Sequence, residues 1–254
     1  MAADRIEVTH DAALGGRLRL TQPKRGHRFG HDAILLAAAV PAKSGDRVVD
    51  LGAGIGAAGL AVATRVPGID VTLVEIEPAL VALASGNIAD NGFSESACAV
   101  ALDVTASEAE FNAAGLRAGQ FDHVMMNPPF NDTTLQASPD ALRRRAHSST
   151  EITLPMWIAC AGRLLRDGGT LTLIWRAERL DDACAALTGL GATCVLPIHS
   201  VAGELAIRVI CRTAKGAGGD LVKLPGFDLN DADKQETAPA RAVLRDAMPL
   251  PVAR

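Results

Sequence analysis

"VVDLGAGIG", residues 48 to 56, is a short apolar run that ends on Asp50 and breaks at once into Gly52, Gly54 and Gly56. A strand that stops in alternating glycines lets the backbone turn tightly and come close to a ligand, while the helix behind it aims free N–H groups at that point. Gly54, Gly56 and Gly59 also spell G-x-G-x-x-G, the dinucleotide pattern, which alone is weak evidence. An acid at the strand tip would face a pyrophosphate, whereas a ligand carrying a cationic amine tolerates or welcomes Asp50. Outward from this turn, apolar strand-like runs recur at 47–51, 70–75, 97–103, 121–127 and 169–175. Between the second and third lies "PALVALASGNIADNG", with proline in its first turn, Leu80, Ala84 and Ile88 at helical spacing, and a stop at Asn91-Gly92. A later helix places Leu180, Cys184 and Leu187 on one face. This alternation predicts a doubly wound, mainly parallel α/β sheet that binds ligands beyond the carboxyl ends of its strands.

The chain has 254 residues, 48% hydrophobic and 21% charged, enough for one large α/β core. No run of eighteen uncharged apolar residues occurs, and "MAADRIEVTH" carries charges where a secretory signal needs an apolar stretch, so a soluble, cytoplasmic protein is expected. Five scattered cysteines without a C-x-x-C pair read as reduced core residues, and six histidines show no metal spacing; no metal is expected. Residues 5–22, with Gly15-Gly16 between short strand-like runs, read as a hairpin, whereas the last forty residues leave a packed extension and partial disorder both open. The expected organisation is a hairpin and helix over 1–40 packed on the core, a catalytic core over 41–213 and an extension over 214–254.

Glu75 ends the second core strand about twenty residues after the glycines, where a carboxylate accepts from ribose hydroxyls, and Asp103 ends the third, placed to accept from an adenine amino group. Three successive strand tips carrying Asp50, Glu75 and Asp103 beside a glycine turn favour a nucleoside pocket. The fourth tip is "FDHVMMNPPFND", 121–132, where a strand runs into two prolines that give no ladder donor.

With "GHRFGHDAILLAAAV", "VVDLGAGIG", "LVEIEPALVALASGNIADNG", "MMNPPF" and "LLRDGGTLTLIWRAERL", the sequence resembles the class I S-adenosylmethionine-dependent methyltransferases. Within them it resembles the N6-adenine group with an N-P-P-[FY] motif, above all the bacterial family that methylates the adenine beside the anticodon of a valine tRNA. The likeness covers residues 14–212. It implies the seven-stranded, Rossmann-like sheet of that class with an N-terminal hairpin added, S-adenosyl-L-methionine as cofactor, and Gly52, Gly54, Glu75 and Asp103 as residues that hold it. Phe130 stands where the motif also takes tyrosine. The motif occurs as well in methylases of glutamine side chains and of DNA adenine.

The prolines then have a chemical purpose. An adenine amine is a poor nucleophile because its lone pair is spread into the ring, so geometry must replace basicity. If the Asn127 side-chain oxygen accepts one amine hydrogen and the Pro128 carbonyl the other, the nitrogen is drawn toward tetrahedral geometry. Pro128 and Pro129 each bias the preceding residue toward extended backbone, which stiffens both acceptors, and Phe130 offers a face on which the base stacks. The segment "NDTTLQASPDALRRRAHSST" is long for an α/β connection, and Arg143, Arg144 and Arg145 within it are expected to bind the substrate. A second basic group, Arg17, Arg19, Lys24, Arg25 and Arg28, flanks the hairpin. Phosphate contacts from both would give RNA affinity despite a net charge of −4. An adenine in RNA, tRNA foremost, is the leading substrate; a protein glutamine, DNA adenine or a small molecule stay open, and an NAD-dependent oxidoreductase would leave "MMNPPF" without a use.

Overall fold

The computed structural model describes residues 7–26, 28–129 and 153–253. The chain opens with an antiparallel hairpin, β1 (Val8–Ala13) and β2 (Leu18–Pro23), joined through Leu14–Gly16, where Leu14, Gly15 and Gly16 all take positive φ. Then follow α1 (His31–Ala39), β3 (Arg47–Leu51), α2 (Ala57–Arg65), β4 (Asp70–Glu75), α3 (Pro78–Asp90), β5 (Ala97–Ala101), α4 (Glu108–Ala113) and β6 (Phe121–Met126). The second half holds α5 (Leu154–Leu164), β7 (Leu165–Arg176), α6 (Leu180–Leu187), β8 (Gly191–Val201), β9 (Ala206–Lys215), β10 (Val222–Lys223), β11 (Phe227–Asn230) and α7 (Ala238–Asp246).

The main sheet runs β5-β4-β3-β6-β7-β9-β8-β10, with β11 also pairing β8. Only β9 is antiparallel to its neighbours. The expected seven strands are β3 to β9. The sheet exceeds them because β10 and β11 line up along the outer edge of β8, opposite Cys194–Val195 and Ile198–Val201. They shield an edge that would otherwise present unpaired backbone groups.

The central strands are mostly apolar on both sides because both faces of the sheet are covered. In β3, Val48 faces the side carrying α1, α2 and the hairpin, while Val49 and Leu51 face Trp157, Ile158 and Leu164 of α5; Met125 and Met126 of β6 divide the same way. The last forty residues are packed where described: Phe227, Leu229, Val243, Leu244 and Leu250 share one apolar cluster with Leu14, Leu18 and Leu20 of the hairpin, and the Leu250 N–H donates to the Ala38 carbonyl at 2.8 Å. One expectation fails. Cys98 is exposed rather than a core residue, because β5 is an edge strand with one neighbour. Among the described residues no helix is long and apolar enough to cross a membrane.

Candidate active site at the carboxyl edge of the sheet

Strand register assembles the site. Leu51 of β3 pairs with Val74 of β4 on one side and with Met126 of β6 on the other. One residue further along each strand come Gly52, Glu75 and Asn127, abreast at the carboxyl edge. Glu75 itself pairs with Ala101, so Asp103 lies two residues past the end of β5, beyond the same edge. The sequence reading carried β5 to Asp103; the strand stops at Ala101 because Asp103 turns into its own chain, its Oδ1 accepting from the Thr105 N–H and hydroxyl, both at 2.7 Å.

The glycine turn is pinned to β4. The N–H groups of Gly52 and Ala53 both donate to the Val74 carbonyl, at 2.8 and 3.0 Å, and the Gly54 N–H donates to Glu75 Oε2 at 2.8 Å. Glu75 Oε1 accepts from the Glu77 N–H at 3.0 Å, so the carboxylate is held at a fixed angle beside the turn. Gly52 and Gly54 take φ of +70° and +58°. A Cβ on Gly54 would stand in open space, whereas one on Gly52 would lie 2.6 Å from Cη2 of Trp157. Gly54 thus leaves backbone open to a ligand, and Gly52 leaves room for an aromatic ring beneath the turn.

Asp50 does not face outward as the sequence reading had it. It is 2% exposed, and its Oδ2 accepts from the Gly59 N–H at 2.9 Å, bracing the first turn of α2 from below. Burial, reinforced by the neighbouring Glu75 carboxylate, pushes its acid up to about 7. Gly59 is a packing residue, since a Cβ there would sit 2.3 Å from Leu73 Cδ2. The literal dinucleotide spelling therefore arises in part from how α2 packs on β4.

At the β6 tip, Asn127 is half-buried, Pro128 buried and Pro129 exposed. The Asn127 Oδ1 is shielded from solvent and has no hydrogen-bond partner among the described residues. Leaving such an acceptor unpaired costs about 1–3 kcal/mol, an expense usually tied to a missing partner. Phe130, Arg143, Arg144, Arg145 and His147 lie outside the described residues, as does His27.

Three neighbours of the site escaped the sequence reading. Ile76, next to Glu75, is 52% exposed, an apolar surface at the carboxyl edge of the sheet. Trp157 is buried and also touches the glycine turn. Asn87, inside α3, is completely buried and donates to the Ile55 carbonyl within the turn at 3.0 Å. A polar residue on the inner face of a helix was the one available signal. His31 is exposed and Asp32 accepts from Arg208 Nε at 2.9 Å, joining α1 to β9. In the hairpin group, Arg28 pairs with Asp11 at 2.9 Å, Lys24 with Glu7 at 3.3 Å, and Arg17 donates to the Arg245 carbonyl. Arg19 and Arg25 make no ion pair among the described residues. A cleft of about 330 Å³ lined by Thr64, Val66, Pro67, Phe93 and Ser96 lies at the opposite, amino-terminal end of the sheet, away from these residues.

Residues 28–183, more than half of the chain, match the family model described as "Methyltransferase small domain". A tRNA1(Val) (adenine(37)-N6)-methyltransferase of Porphyromonas gingivalis is 33% identical over 170 residues, which cover 65% of each chain, so the match spans just under two thirds of that relative's length. One of the same name from Dickeya chrysanthemi is 24% identical over 226 residues, 86% of this chain and 87% of the relative. A crystal structure from Agrobacterium tumefaciens, described as "a predicted O-methyltransferase", superposes with a TM-score of 0.72 at 29% identity, covering 86% of this chain and 97% of the other.

Proposed function

The chain belongs to the methyltransferase small-domain family, and from that premise we propose that it transfers a methyl group from S-adenosyl-L-methionine to the exocyclic N6 amine of an adenine in RNA, with tRNA as the RNA. The observation that carries this reading is the Asn127 Oδ1, a buried acceptor without a partner among the described residues, abreast of the open glycine turn. The names of the curated relatives support the same choice of substrate.

The residues proposed to hold the donor are Gly52 and Gly54, whose backbone approaches it, Glu75 and Asp103, whose carboxylates accept from its nucleoside, and Asp50, which supports the turn from below. When bound, the donor supplies an electrophilic methyl group on a positively charged sulfur. The protein's own share is to prepare the amine. Asn127 Oδ1 accepts one amine hydrogen and the Pro128 carbonyl the other, which localises the lone pair, and both contacts strengthen as the nitrogen becomes cationic. No strong base is required, since the amine sheds its proton after transfer. Phe130 is proposed to stack the base and Arg143, Arg144 and Arg145 to bind phosphates. Work on tRNA places the protein in the cytoplasm under this proposal.

The test is incubation with radiolabelled methyl donor and total tRNA, followed by digestion to nucleosides. Label in N6-methyladenosine is the expected outcome; label confined to protein glutamine, DNA or a small-molecule hydroxyl would overturn the substrate assignment. Asn127→Ala should lower turnover by about 10²–10³ while donor affinity measured by calorimetry stays near that of the unmodified protein. Parallel losses in binding and turnover would refute the role of Asn127.

A further inference from the structure

Two asparagines one helical turn apart, Asn87 within α3 and Asn91 at its carboxyl cap, stand in for a strand beside the hairpin. Asn87 Oδ1 accepts from the Thr21 N–H at 2.7 Å and its Nδ2 donates to the Thr21 carbonyl at 3.0 Å. Asn91 Oδ1 accepts from the Arg19 N–H at 2.9 Å and its Nδ2 donates to the Arg19 carbonyl at 2.6 Å. Residues 19 and 21 are alternate positions of β2, so both point their backbone groups toward α3, and the 5–6 Å spacing of i and i+4 side chains matches that repeat.

The two amides differ in one respect. Asn87 spends its second Nδ2 hydrogen on the Ile55 carbonyl, between Gly54 and Gly56. Asn91 spends its own on the Asn87 carbonyl within α3, at 2.7 Å. Asn87 is 0% exposed and satisfied on both amide atoms, so its three bonds join segments near residues 21, 55 and 87 inside a closed environment. Losing any of them leaves a buried group unpaired. Beyond Thr21, Gln22 Oε1 accepts from the Phe29 N–H at 3.1 Å, two residues ahead of His31 at the start of α1.

We propose that Asn87 is a positioning residue that couples the glycine turn to the N-terminal hairpin, so that occupation of the donor site and ordering of the hairpin reinforce each other. The inference rests on the reading of the turn as the S-adenosyl-L-methionine site. Asn87 touches neither the donor nor the substrate. It fixes the Ile55 carbonyl, and through it the left-handed glycines on either side, while the same amide holds β2 in register. By reciprocity, whatever stabilises one end of this link stabilises the other.

The experiment titrates S-adenosyl-L-methionine into the unmodified chain and into Asn87→Ala, Asn87→Asp and Asn91→Ala. Asn87→Asp keeps the acceptor for Thr21 and loses both donors. Both Asn87 variants should bind the donor about tenfold more weakly, the equivalent of one lost hydrogen bond of about 1.4 kcal/mol. Turnover at saturating donor should change only a few-fold. Asn91→Ala loosens the same hairpin without touching Ile55, so it should weaken donor binding only indirectly, by about two- to threefold and clearly less than the Asn87 variants. Equal weakening in Asn91→Ala, or none in the Asn87 variants, would overturn the coupling. Should the Asn87 variants not fold, the unmodified protein gives the answer: saturating donor should slow hydrogen exchange at the Thr21 amide, and unchanged exchange there while the glycine turn is protected overturns it. No donor binding by the unmodified chain would sink the functional reading itself, a result distinct from either.

Discussion

At the scale of single residues, Asp50 illustrates what a strand-end acid can do once it turns inward. The folded chain keeps its proton up to about pH 7, whereas the unfolded chain releases it near 3.8. The folded state therefore binds more protons across that interval, and stability falls as pH rises from about 4 to 7, by on the order of 4 kcal/mol in full. Asn in its place keeps an acceptor for the Gly59 N–H and carries no charge. Asp50→Asn should melt several degrees above the unmodified protein at pH 8, with the gap closing as pH falls to 4; a gap independent of pH would contradict the buried charge. The sequence revealed an acid at this tip but not its direction, since alternation along β3 says which face a side chain takes and not that a helix N–H waits beneath it. For Glu75 and Asn127, and for Asp103 just beyond them, the sequence reading was enough to put them at one edge, because the strand tips of a parallel sheet share it.

At the scale of elements, the turn between β3 and α2 was legible because glycine at alternate positions has few other uses, yet the reason for each glycine was not. Gly54 needs a left-handed backbone and open space; Gly52 needs the same backbone and the absence of a Cβ under the Trp157 ring. Gly54→Ala should therefore cost the strain alone, about 1–2 kcal/mol, while Gly52→Ala adds a collision. Thermal melts of Gly52→Ala with and without Trp157→Leu should show that the smaller side chain recovers part of the loss, a coupling that Gly54→Ala with the same partner lacks. Equal costs at the two glycines would mean that the ring yields freely. Nothing in "LPMWIACAGRL" marks Trp157 as a neighbour of residue 52, because contacts between elements a hundred residues apart are set by how α5 lies across β3 and β6. The same holds for Asn87, whose partners come from two other segments.

At the scale of the whole molecule, the two ends of the chain are built into each other. The hairpin tip meets the end of α7, where Arg17 Nη1 donates to the Arg245 carbonyl at 2.8 Å and a Cβ on Gly15 would stand 2.9 Å from the same oxygen. The apolar cluster on that side of the sheet draws Leu14, Leu18 and Leu20 from the first segment and Phe227, Leu229, Val243, Leu244, Leu250 and Val252 from the last. In sequence this was the least readable part. Polar residues such as "LNDADKQETAPAR" dominate the count, and the six apolar side chains that matter are spread over twenty-six positions with no single period. Two short strands and one amphipathic helix do with few residues what a longer element announces openly. We propose on this basis that the segment 214–254 is a structural part of the core rather than an independent unit. A chain ending at residue 213 would lose those six side chains, bare Leu14, Leu18 and Leu20 on which they pack, and strip β10 and β11 from the outer edge of β8. Losing the burial of six large apolar side chains, at about 1.5–3 kcal/mol each, comes to roughly 9–18 kcal/mol, the same size as the usual 5–15 kcal/mol net stability of a whole domain. The shortened chain should consequently survive, if at all, as a species with a broad melt at least 15 °C lower and a tendency to associate through the bared edge. Scanning calorimetry and light scattering on the two lengths would decide it: a sharp transition at an unchanged temperature in the shortened chain would show that the segment merely rests on the surface.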